Sequence, residues 1–371
     1  MFFTNNSDYD LQKVGNQFCI EGTVIEAQQI NGGNINRTYK VTYECENGSK
    51  KDYLFQKVNT YVFKNPVEVM ENIDKVTTHI YHKRGGINAL HFHHTKDRKN
   101  YYFEEGTGFF WRVRNYFDSV TFDVCNDVQI LYLAGVAFGN FQKDLQDFDA
   151  TVLHETIKDF HNTRKRLEQL FADADQDEYG RVAEVQAELS YIKSVREKAC
   201  SLTDLLKKGE LPLRVTHNDT KINNVLFDQK TREALVVIDL DTVMPGLVGH
   251  DFGDAIRFAS NFVEEDSRHT EQAGVNLNIY WAFAEGFLKE TASTLTDMEA
   301  ETLGQSCFCL ACELATRFLD DYIQGDKYFK IKMPDHNLVR TRCQIALAKD
   351  MQQKMDAMNA IVRDCWKRYQ K

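Results

Sequence analysis

The stretch VTHNDTKINNVLFD, residues 215–228, decides the fold together with ALVVIDLD, residues 234–241. The first stretch continues the strand-like LPLRV and carries an Asp and an Asn five positions apart, Asp219 and Asn224. Short apolar runs bounded by turn residues indicate strands, so NNVLFD and ALVVIDLD are predicted to pair across the turn-like QKTRE. Asp239 then stands at the end of the second strand. The sequence therefore delivers oxygen-bearing side chains from a loop and from a buried strand.

The spacing of these residues matches H-x-D-x-x-x-x-N, the catalytic loop of kinases. Phosphoryl transfer needs in-line positioning, neutralisation of charge by a metal, and a group that takes the hydroxyl proton. In this loop the Asp faces the acceptor hydroxyl and the Asn oxygen reaches the metal, so Asp219 is the predicted catalytic base and Asn224 a predicted Mg²⁺ ligand. Mg²⁺ prefers oxygen ligands, and Asp239 is the expected second one.

An isolated match to this pattern is a weak indication, because Asp and Asn also cap helices and form turns. The loop followed by a strand, a hairpin and I-D-x-D is much more specific, since a motif gains weight from its structural context. Within the loop, His217 is expected to hold the backbone by hydrogen bonds rather than to act as the base. Asp251 and Asp254, in GHDFGDAIR, are expected to cap a helix and brace the loop.

The first 118 residues have mainly the pattern of strands. Apolar and polar positions alternate between Asn/Gly turns in QFCIEGTVIEAQQI, NRTYKVTYEC and KDYLFQKVN, which predicts a small antiparallel sheet. A helix-like segment, NPVEVMENIDKVTTHIYHK, has Pro66 near its first turn. The strand pattern returns in NYYFEEGTGFFWRVRNYFDSVTF, with EEGTG as the hairpin turn. The predicted order is three strands, a helix and two strands.

The rest of the chain has mainly helical spacing, which begins at Val128. The sequence therefore predicts an α+β protein with a β-sheet region at 1–118 and a mostly helical region at 119–371. Of the 371 residues, 43% are hydrophobic and 27% are charged, which is the usual mixture for a globular protein. The formal charge of −10 disfavours a general affinity for nucleic acid or for an anionic membrane.

Several absences in the sequence predict a cytoplasmic location. The amino terminus lacks the pattern of a secretory signal, and no window has the apolar length needed to span a bilayer. The nine cysteines are scattered through a large chain, which fits reduced thiols in a cytoplasm. No obligatory protein partner is evident.

The motifs as a set resemble the aminoglycoside phosphotransferase and choline kinase superfamily, and within it the bacterial N-acetylhexosamine 1-kinases. The segments that carry the resemblance cover most of the chain and are INGGNINRTY (30–39), NPVEVMENI (65–73), VTHNDTKINNVLFD (215–228), VIDLDTVMPG (237–246), HDFGDAIR (250–257) and ELATRFLDDYI (313–323).

The resemblance implies a two-lobed protein-kinase-like fold, with a nucleotide-binding N-lobe at 1–118 and a C-lobe at 119–371 that carries the catalytic loop and the acceptor site. It implies phosphorylation of the anomeric hydroxyl of N-acetylglucosamine or N-acetylgalactosamine, with ATP as co-substrate and Mg²⁺ as cofactor. The expected partners are thus an amino sugar and ATP, in the metabolism of amino sugars.

A kinase also needs groups that bind the nucleotide, and the N-terminal half offers candidates. A loop over the phosphates is expected between two strands, although Asn-Gly-Gly is also an ordinary hairpin turn. A cation on the third strand fits Lys57, with Gln56 as the alternative if the register shifts by one. Glu71, or alternatively Glu68, could pair with that lysine from the following helix. The remaining candidates, for the phosphate loop and then for the adenine, are Asn31, Gly32, Gly33, Asn34, Tyr116 and Phe117.

Sugar recognition requires donors and acceptors matched to the ring hydroxyls. Arg317 and Tyr328 are the predicted acceptor-binding residues. A buried arginine on an apolar helix needs a partner, and Tyr328 follows QGDK, a loop that could face the acceptor site. Both also match sugar-contacting positions in the resembled kinases. A structural salt bridge and a packed ring are the alternatives.

Three readings of function stay open at this point. One is the N-acetylhexosamine 1-kinase, and another is a kinase of a different hydroxyl compound such as an aminoglycoside, choline, homoserine or another sugar, because fold and motif do not fix the substrate. An acidic acceptor site would favour a cationic substrate, whereas Arg317 beside neutral polar groups would favour a sugar. The third reading is a nucleotide-binding regulatory protein without turnover.

Overall fold

The computed structural model describes residues 4–5, 9–30, 36–61 and 63–370. The chain divides into two compact units, one of Met1–Val120 with Leu240–Val243 and the other of Thr121–Asp239 with Met244–Lys371. The first unit is built mainly on a sheet and the second mainly on helices. The predicted α+β fold class is therefore confirmed.

The first unit contains a six-stranded sheet, antiparallel except for one parallel edge pair. Its strands are β1 (Thr4–Asn5), β2 (Thr23–Ile30), β3 (Arg37–Glu44), β4 (Lys50–Val58), β5 (Tyr102–Glu104) and β6 (Phe109–Asn115), and the two-residue strand β7 (Ser119–Val120) follows. They are ordered β1-β2-β3-β4-β6-β5. The helices are α1 (Leu11–Gly15) and α2 (Pro66–Arg84). The strand pattern in the sequence did not predict β1 or α1.

The alternation of side chains along β3 gives this sheet its apolar face. Tyr39, Val41 and Tyr43 are all buried, because side chains two apart point to the same side of a strand. They pack with Phe55 of β4 and Trp111 of β6 in one core cluster. The opposite face of β4 and β6 is free to carry polar groups.

The second unit holds eight helices and four short strands among its described residues. The helices are α3 (Val128–Asp144), α4 (Thr163–Gln176), α5 (Gln186–Ala199), α6 (Ser201–Lys207), α7 (Val248–Ala259), α8 (Leu277–Thr291), α9 (Asp297–Ile323) and α10 (His336–Tyr369). The strands are β8 (Arg214–Thr216), β9 (Val225–Asp228), β10 (Ala234–Val237) and β11 (Met244–Gly246). None of the helices in the described part of the chain is both long and apolar enough to cross a membrane.

Helix α9 forms the centre of this unit. Most of its residues are buried, and it packs against α4, α7 and α10. Its start is fixed by a capping box in which Thr296 and Glu299 satisfy each other's backbone N–H groups. Because α7 follows directly after β11, the same packing also fixes the segment that supports the predicted catalytic loop.

Candidate active site

The predicted catalytic loop begins where β8 ends and is held by a buried carboxylate on α7. Asp251 accepts hydrogen bonds from the backbone N–H of His217 at 2.9 Å and of Asn218 at 2.8 Å. Asn218 has a φ of 64°, in the left-handed region that Asn tolerates better than most residues. Asp254, one turn later, accepts from the backbone N–H of Thr220 at 3.1 Å. The structure thus confirms that Asp251 and Asp254 brace the loop. The N-cap of α7 is Leu247, so the expectation that these aspartates cap the helix is wrong.

Removal of the Asp251 carboxylate should therefore weaken the fold. Gln142 also donates to this carboxylate at 2.7 Å, so Asp251→Ala leaves three buried donors without their acceptor. Because each such donor costs roughly 1–3 kcal/mol, we expect the free energy of unfolding to fall by about 3 kcal/mol or more in urea titrations. Asp251→Asn keeps one acceptor oxygen, so its free energy of unfolding should fall by less. Equal and small decreases in the free energy of unfolding of both variants would contradict the bracing role of Asp251.

His217 links the loop to the strand that precedes Asp239. Its Nε2 donates to the Ile238 carbonyl oxygen at 2.8 Å, and its Nδ1 accepts from the Asp219 backbone N–H at 3.2 Å. Both ring nitrogens are therefore used for positioning, and the neutral tautomer with the proton on Nε2 satisfies both bonds. His217 has no nitrogen left to act as a base, which agrees with the role predicted for it.

Asp219 and Asn224 lie in direct contact. The Asn224 side-chain amide donates to the Asp219 carbonyl oxygen at 2.8 Å and to its carboxylate at 3.2 Å. Since the NH₂ is used in this way, the Asn224 side-chain oxygen is directed away from Asp219. The Asp219 carboxylate itself is only partly buried, with 30% of the side chain exposed. A substrate could therefore reach this carboxylate, and its role as the proton acceptor stays a prediction.

Asp239 is brought to the same place by the β9–β10 hairpin. Val237 pairs with Val225, and the Ile238 backbone N–H donates to the Asn224 carbonyl oxygen at 2.8 Å, so Asp239 is the next residue after this ladder. It is exposed and has a φ of 63°, which turns the chain sharply after β10. The structure therefore brings the three predicted residues together. Carboxylate and amide oxygens are a donor set that suits Mg²⁺.

Lys221 adds a positive charge next to Asp219, which sequence reasoning did not single out. Its Nζ lies 2.8 Å from the Asp219 carboxylate. Burial lowers the pKa of Lys221, but the carboxylates of Asp219 and Asp254 outweigh this and raise the pKa above its usual value. The ammonium group is therefore charged at neutral pH. Its position within the H-x-D-x-x-x-x-N loop was the signal that could have identified it.

The predicted nucleotide-binding residues belong to the first unit. Asn31, Gly32, Gly33 and Asn34 lie outside the described residues. Lys57 has its Nζ 3.9 Å from the centre of the Phe109 ring and 5.1 Å from that of Tyr9, on the same side as the apolar core. Gln56 lies on the opposite face. Their roles in nucleotide binding stay predictions.

The other three candidates occupy α2 and the segment after β6. Glu71 is exposed on α2, and its pairing with Lys57 stays a prediction. Tyr116 and Phe117 are half-buried, and the Nζ of Lys40 lies 4.5 Å from the centre of the Tyr116 ring. Contact of these two rings with adenine is likewise a prediction.

The polar face of the first sheet carries an ion pair that the sequence did not predict. Arg112, opposite Gln56 in the β4–β6 ladder, donates to Gln56 Oε1 at 2.9 Å and to the buried carboxylate of Asp241. Asn36 donates to the other oxygen of Asp241 at 2.8 Å. The second Asp of I-D-x-D is thus a structural anchor, whereas the first, Asp239, is exposed. Two arginines alternating in the apolar FFWRVRN were the available signal, because a buried arginine requires a partner.

Loss of this anchor should be costly. Asp241→Ala leaves the Arg112 guanidinium buried without a counter-charge, so we expect the free energy of unfolding to fall by about 3–5 kcal/mol. The control is Asp52→Ala, which removes a carboxylate from a partly exposed pair with Lys40 and should cost about 1 kcal/mol or less. Chemical denaturation of both variants measures the difference. Similar decreases in the free energy of unfolding of the two variants would contradict the structural role of Asp241.

The predicted acceptor residues meet at the ring of Phe329. The guanidinium carbon of Arg317 lies 4.8 Å from the centre of the Phe160 ring and 5.6 Å from that of Phe329. The Tyr328 ring makes an edge contact with Phe329 at 4.8 Å between ring centres and is 67% exposed. The partner of the helical arginine is therefore a pair of aromatic rings. Contact of either residue with a sugar stays a prediction.

A model of the family described as "APH: Phosphotransferase enzyme family" matches residues 26–287 of the chain. The fold is also similar to that of solved kinases. Spectinomycin phosphotransferase APH(9)-Ia, solved with ADP and spectinomycin, is 14% identical over 92% of this chain and 98% of that chain, with a TM-score of 0.58. Amicoumacin kinase hAmiN, solved with AMP-PNP and Ca²⁺, is 12% identical over 91% of this chain and 93% of that chain, with a TM-score of 0.55. Choline kinase from Cryptosporidium parvum is 13% identical over 92% of this chain and 93% of that chain, with a TM-score of 0.52.

Proposed function

Because the chain belongs to the phosphotransferase enzyme family, we propose that it transfers the γ-phosphoryl group of ATP to the anomeric hydroxyl of an N-acetylhexosamine. The observation that carries the kinase chemistry is the convergence of Asp219, Asn224 and Asp239. Asp219 and Asn224 are in contact, and Asp239 follows a backbone hydrogen bond to Asn224. Phosphoryl transfer requires this combination of a proton acceptor and oxygen ligands for a metal.

The surroundings of Arg317 support a neutral sugar as the acceptor. Arg317 lies close enough to Arg166 for its charge to lower the pKa of Arg166, an effect that adds to the larger one of burial. Within the described residues, neither guanidinium has a carboxylate at salt-bridge distance. The carboxylate of Glu313 acts on both arginines, and each guanidinium group can donate hydrogen bonds to neutral hydroxyl and carbonyl oxygens. Aromatic rings beside them offer an apolar surface for a sugar ring.

In the proposed reaction, Asp219 orients the hydroxyl and accepts its proton as the new O–P bond forms and the bond to the β-phosphate oxygen breaks. Lys221 keeps the carboxylate paired and in place until that proton arrives. Asn224 and Asp239 would hold Mg²⁺, which neutralises phosphate charge when bound. Asp251 and His217 keep the loop rigid through the backbone bonds already described. ADP and a sugar 1-phosphate are the products.

The test is ADP release with a panel of acceptors. N-acetylglucosamine and N-acetylgalactosamine should stimulate ADP release, and phosphorus NMR of the product should show a phosphate on the anomeric oxygen. Choline, homoserine, an aminoglycoside and other sugars form the rest of the panel. Preference for one of these would replace the sugar assignment but keep the kinase. ATP binding without ADP release for any acceptor would instead favour the regulatory reading.

A further inference from the structure

A buried histidine next to the predicted acceptor residues is held from one side only. His161, just before α4, is 8% exposed, and its Nδ1 lies 2.7 Å from Glu313 Oε1 on α9. The other Glu313 oxygen accepts from the Thr163 hydroxyl at 2.7 Å. Burial raises the pKa of Glu313, but the charge of His161 and its hydrogen bond outweigh this and bring the pKa to about 2. Glu313 is therefore a carboxylate, and the His161 Nδ1 is the donor.

The second ring nitrogen of His161 has no such partner. Nε2 is buried and, within the described residues, makes no hydrogen bond. It points away from Glu313, because the two ring nitrogens diverge. Buried polar atoms are rarely left unpaired, since each costs free energy comparable to a lost hydrogen bond. Nε2 therefore has an unused hydrogen-bonding capacity that a bound molecule can satisfy.

His161 lies between the catalytic loop and Arg317. On one side its ring centre is 4.8 Å from that of His250, the residue before Asp251. On the other side Phe160, its neighbour in sequence, carries Arg317 over its ring. Arg317 is one helical turn after Glu313, so both lie on the same face of α9. The unpaired nitrogen thus lies among the groups that brace the loop and those that are predicted to bind the acceptor.

We propose that His161, oriented by Glu313, is a specificity-determining residue whose Nε2 hydrogen-bonds a hydroxyl of the acceptor other than the phosphorylated one. This inference rests on the proposed function. A hydroxyl is the group indicated, because it can donate to a neutral imidazole or accept from a charged one. The fixed Nδ1 bond holds the ring in one orientation, so the acceptor meets a rigid partner. A site built in this way rejects an analogue that lacks the hydroxyl, since Nε2 is then left unpaired.

The experiment compares two substitutions that each retain one nitrogen position. In His161→Asn the amide nitrogen takes the place of Nδ1 and keeps the bond to Glu313, but Nε2 is lost. In His161→Gln the amide nitrogen reaches the place of Nε2. Both variants and the wild type are assayed with N-acetylglucosamine and its monodeoxy analogues, and kcat/KM is measured for each sugar. Thermal unfolding and the KM for ATP are measured in parallel.

For the wild type we expect one deoxy analogue to lose about 10- to 100-fold in kcat/KM, as for a missing hydrogen bond to a buried partner. The ratio of kcat/KM for N-acetylglucosamine to kcat/KM for this deoxy analogue should fall to about threefold or less in His161→Asn, with little change in the KM for ATP. His161→Gln should keep most of this ratio. Thr163→Val is the control, because it removes the other Glu313 contact without touching Nε2. It should lower stability and leave the ratio intact.

The outcomes separate this inference from the proposed function. A ratio that stays unchanged in His161→Asn, or that falls equally in Thr163→Val, would show that His161 is only a packing residue. Sugar turnover by the wild type without any deoxy penalty above threefold would also overturn the inference while keeping the kinase. If no N-acetylhexosamine is phosphorylated by the wild type, the proposed function fails and this inference fails with it.

Discussion

Asp219→Asn should lower kcat by about 10²- to 10⁴-fold, the usual contribution of a positioned general base. Asn has nearly the same shape and keeps an oxygen that can accept from Asn224 and Lys221, but it does not take a proton. We therefore expect the KM for ATP to change by less than about threefold, because the lost interaction is with the acceptor hydroxyl. Steady-state rates of ADP release with a saturating acceptor measure the effect.

Asp228→Asn is the matched control for this substitution. Asp228 ends β9 and accepts from the backbone N–H groups of Lys230 and Thr231 in the hairpin turn, outside the catalytic contacts. The same loss of one negative charge there should leave kcat within about twofold, because a partly exposed charge away from the site contributes little. A comparable loss of activity in both variants would mean that charge alone, and not the position of Asp219, accounts for the result.

Asp239→Asn should both slow the reaction and shift its dependence on Mg²⁺. The carboxylate is exposed at the end of β10, so its loss removes a charged ligand without opening a cavity. Asn tolerates the left-handed backbone that Asp239 adopts, so the substitution avoids the strain that alanine would add. Because a bound metal contributes several kcal/mol to charge stabilisation, we expect kcat to fall by roughly 10²-fold or more.

The Mg²⁺ titration distinguishes loss of a ligand from general damage. The concentration of Mg²⁺ needed for half-maximal rate should rise by about tenfold or more, and added Mg²⁺ should restore part of the activity. In Asp241→Ala any activity loss should follow the loss of stability, because Asp241 is buried against Arg112 and cannot reach a metal in that position. An unchanged Mg²⁺ dependence in Asp239→Asn would contradict the assignment of this residue.

The proximity of Asp219, Asn224 and Asp239 could be predicted from the sequence because the segments that carry them are close in the chain. Asp219 and Asn224 are five residues apart, and the hairpin that brings Asp239 to them spans only residues 225–237. Strand and turn patterns are reliable over such distances. The bracing by Asp251 was also predictable, since polar residues at the start of a helix next to a loop commonly accept backbone N–H groups.

Contacts between distant segments could not be derived in this way. The pair of Arg112 and Asp241 joins residues far apart in the sequence, and only the register of β4 against β6 places Arg112 beside Gln56. The same register places the side chain of Lys57 over aromatic rings and that of Gln56 on the opposite face. Alternation in the sequence did not decide which of these two neighbouring residues lies on which face. The bond of His161 to Glu313 likewise depends on how the segment before α4 packs on α9.

We propose that Asp219, Asn224 and Asp239 together form one phosphoryl-transfer site. It is tested most directly by a crystal structure with AMP-PNP, Mn²⁺ in place of Mg²⁺, and N-acetylglucosamine, with the metal located by its anomalous signal. We predict the metal about 2.1–2.3 Å from the Asn224 and Asp239 side-chain oxygens, and the anomeric hydroxyl about 3 Å from the Asp219 carboxylate. A metal bound elsewhere, or a sugar hydroxyl far from Asp219, would contradict the claim.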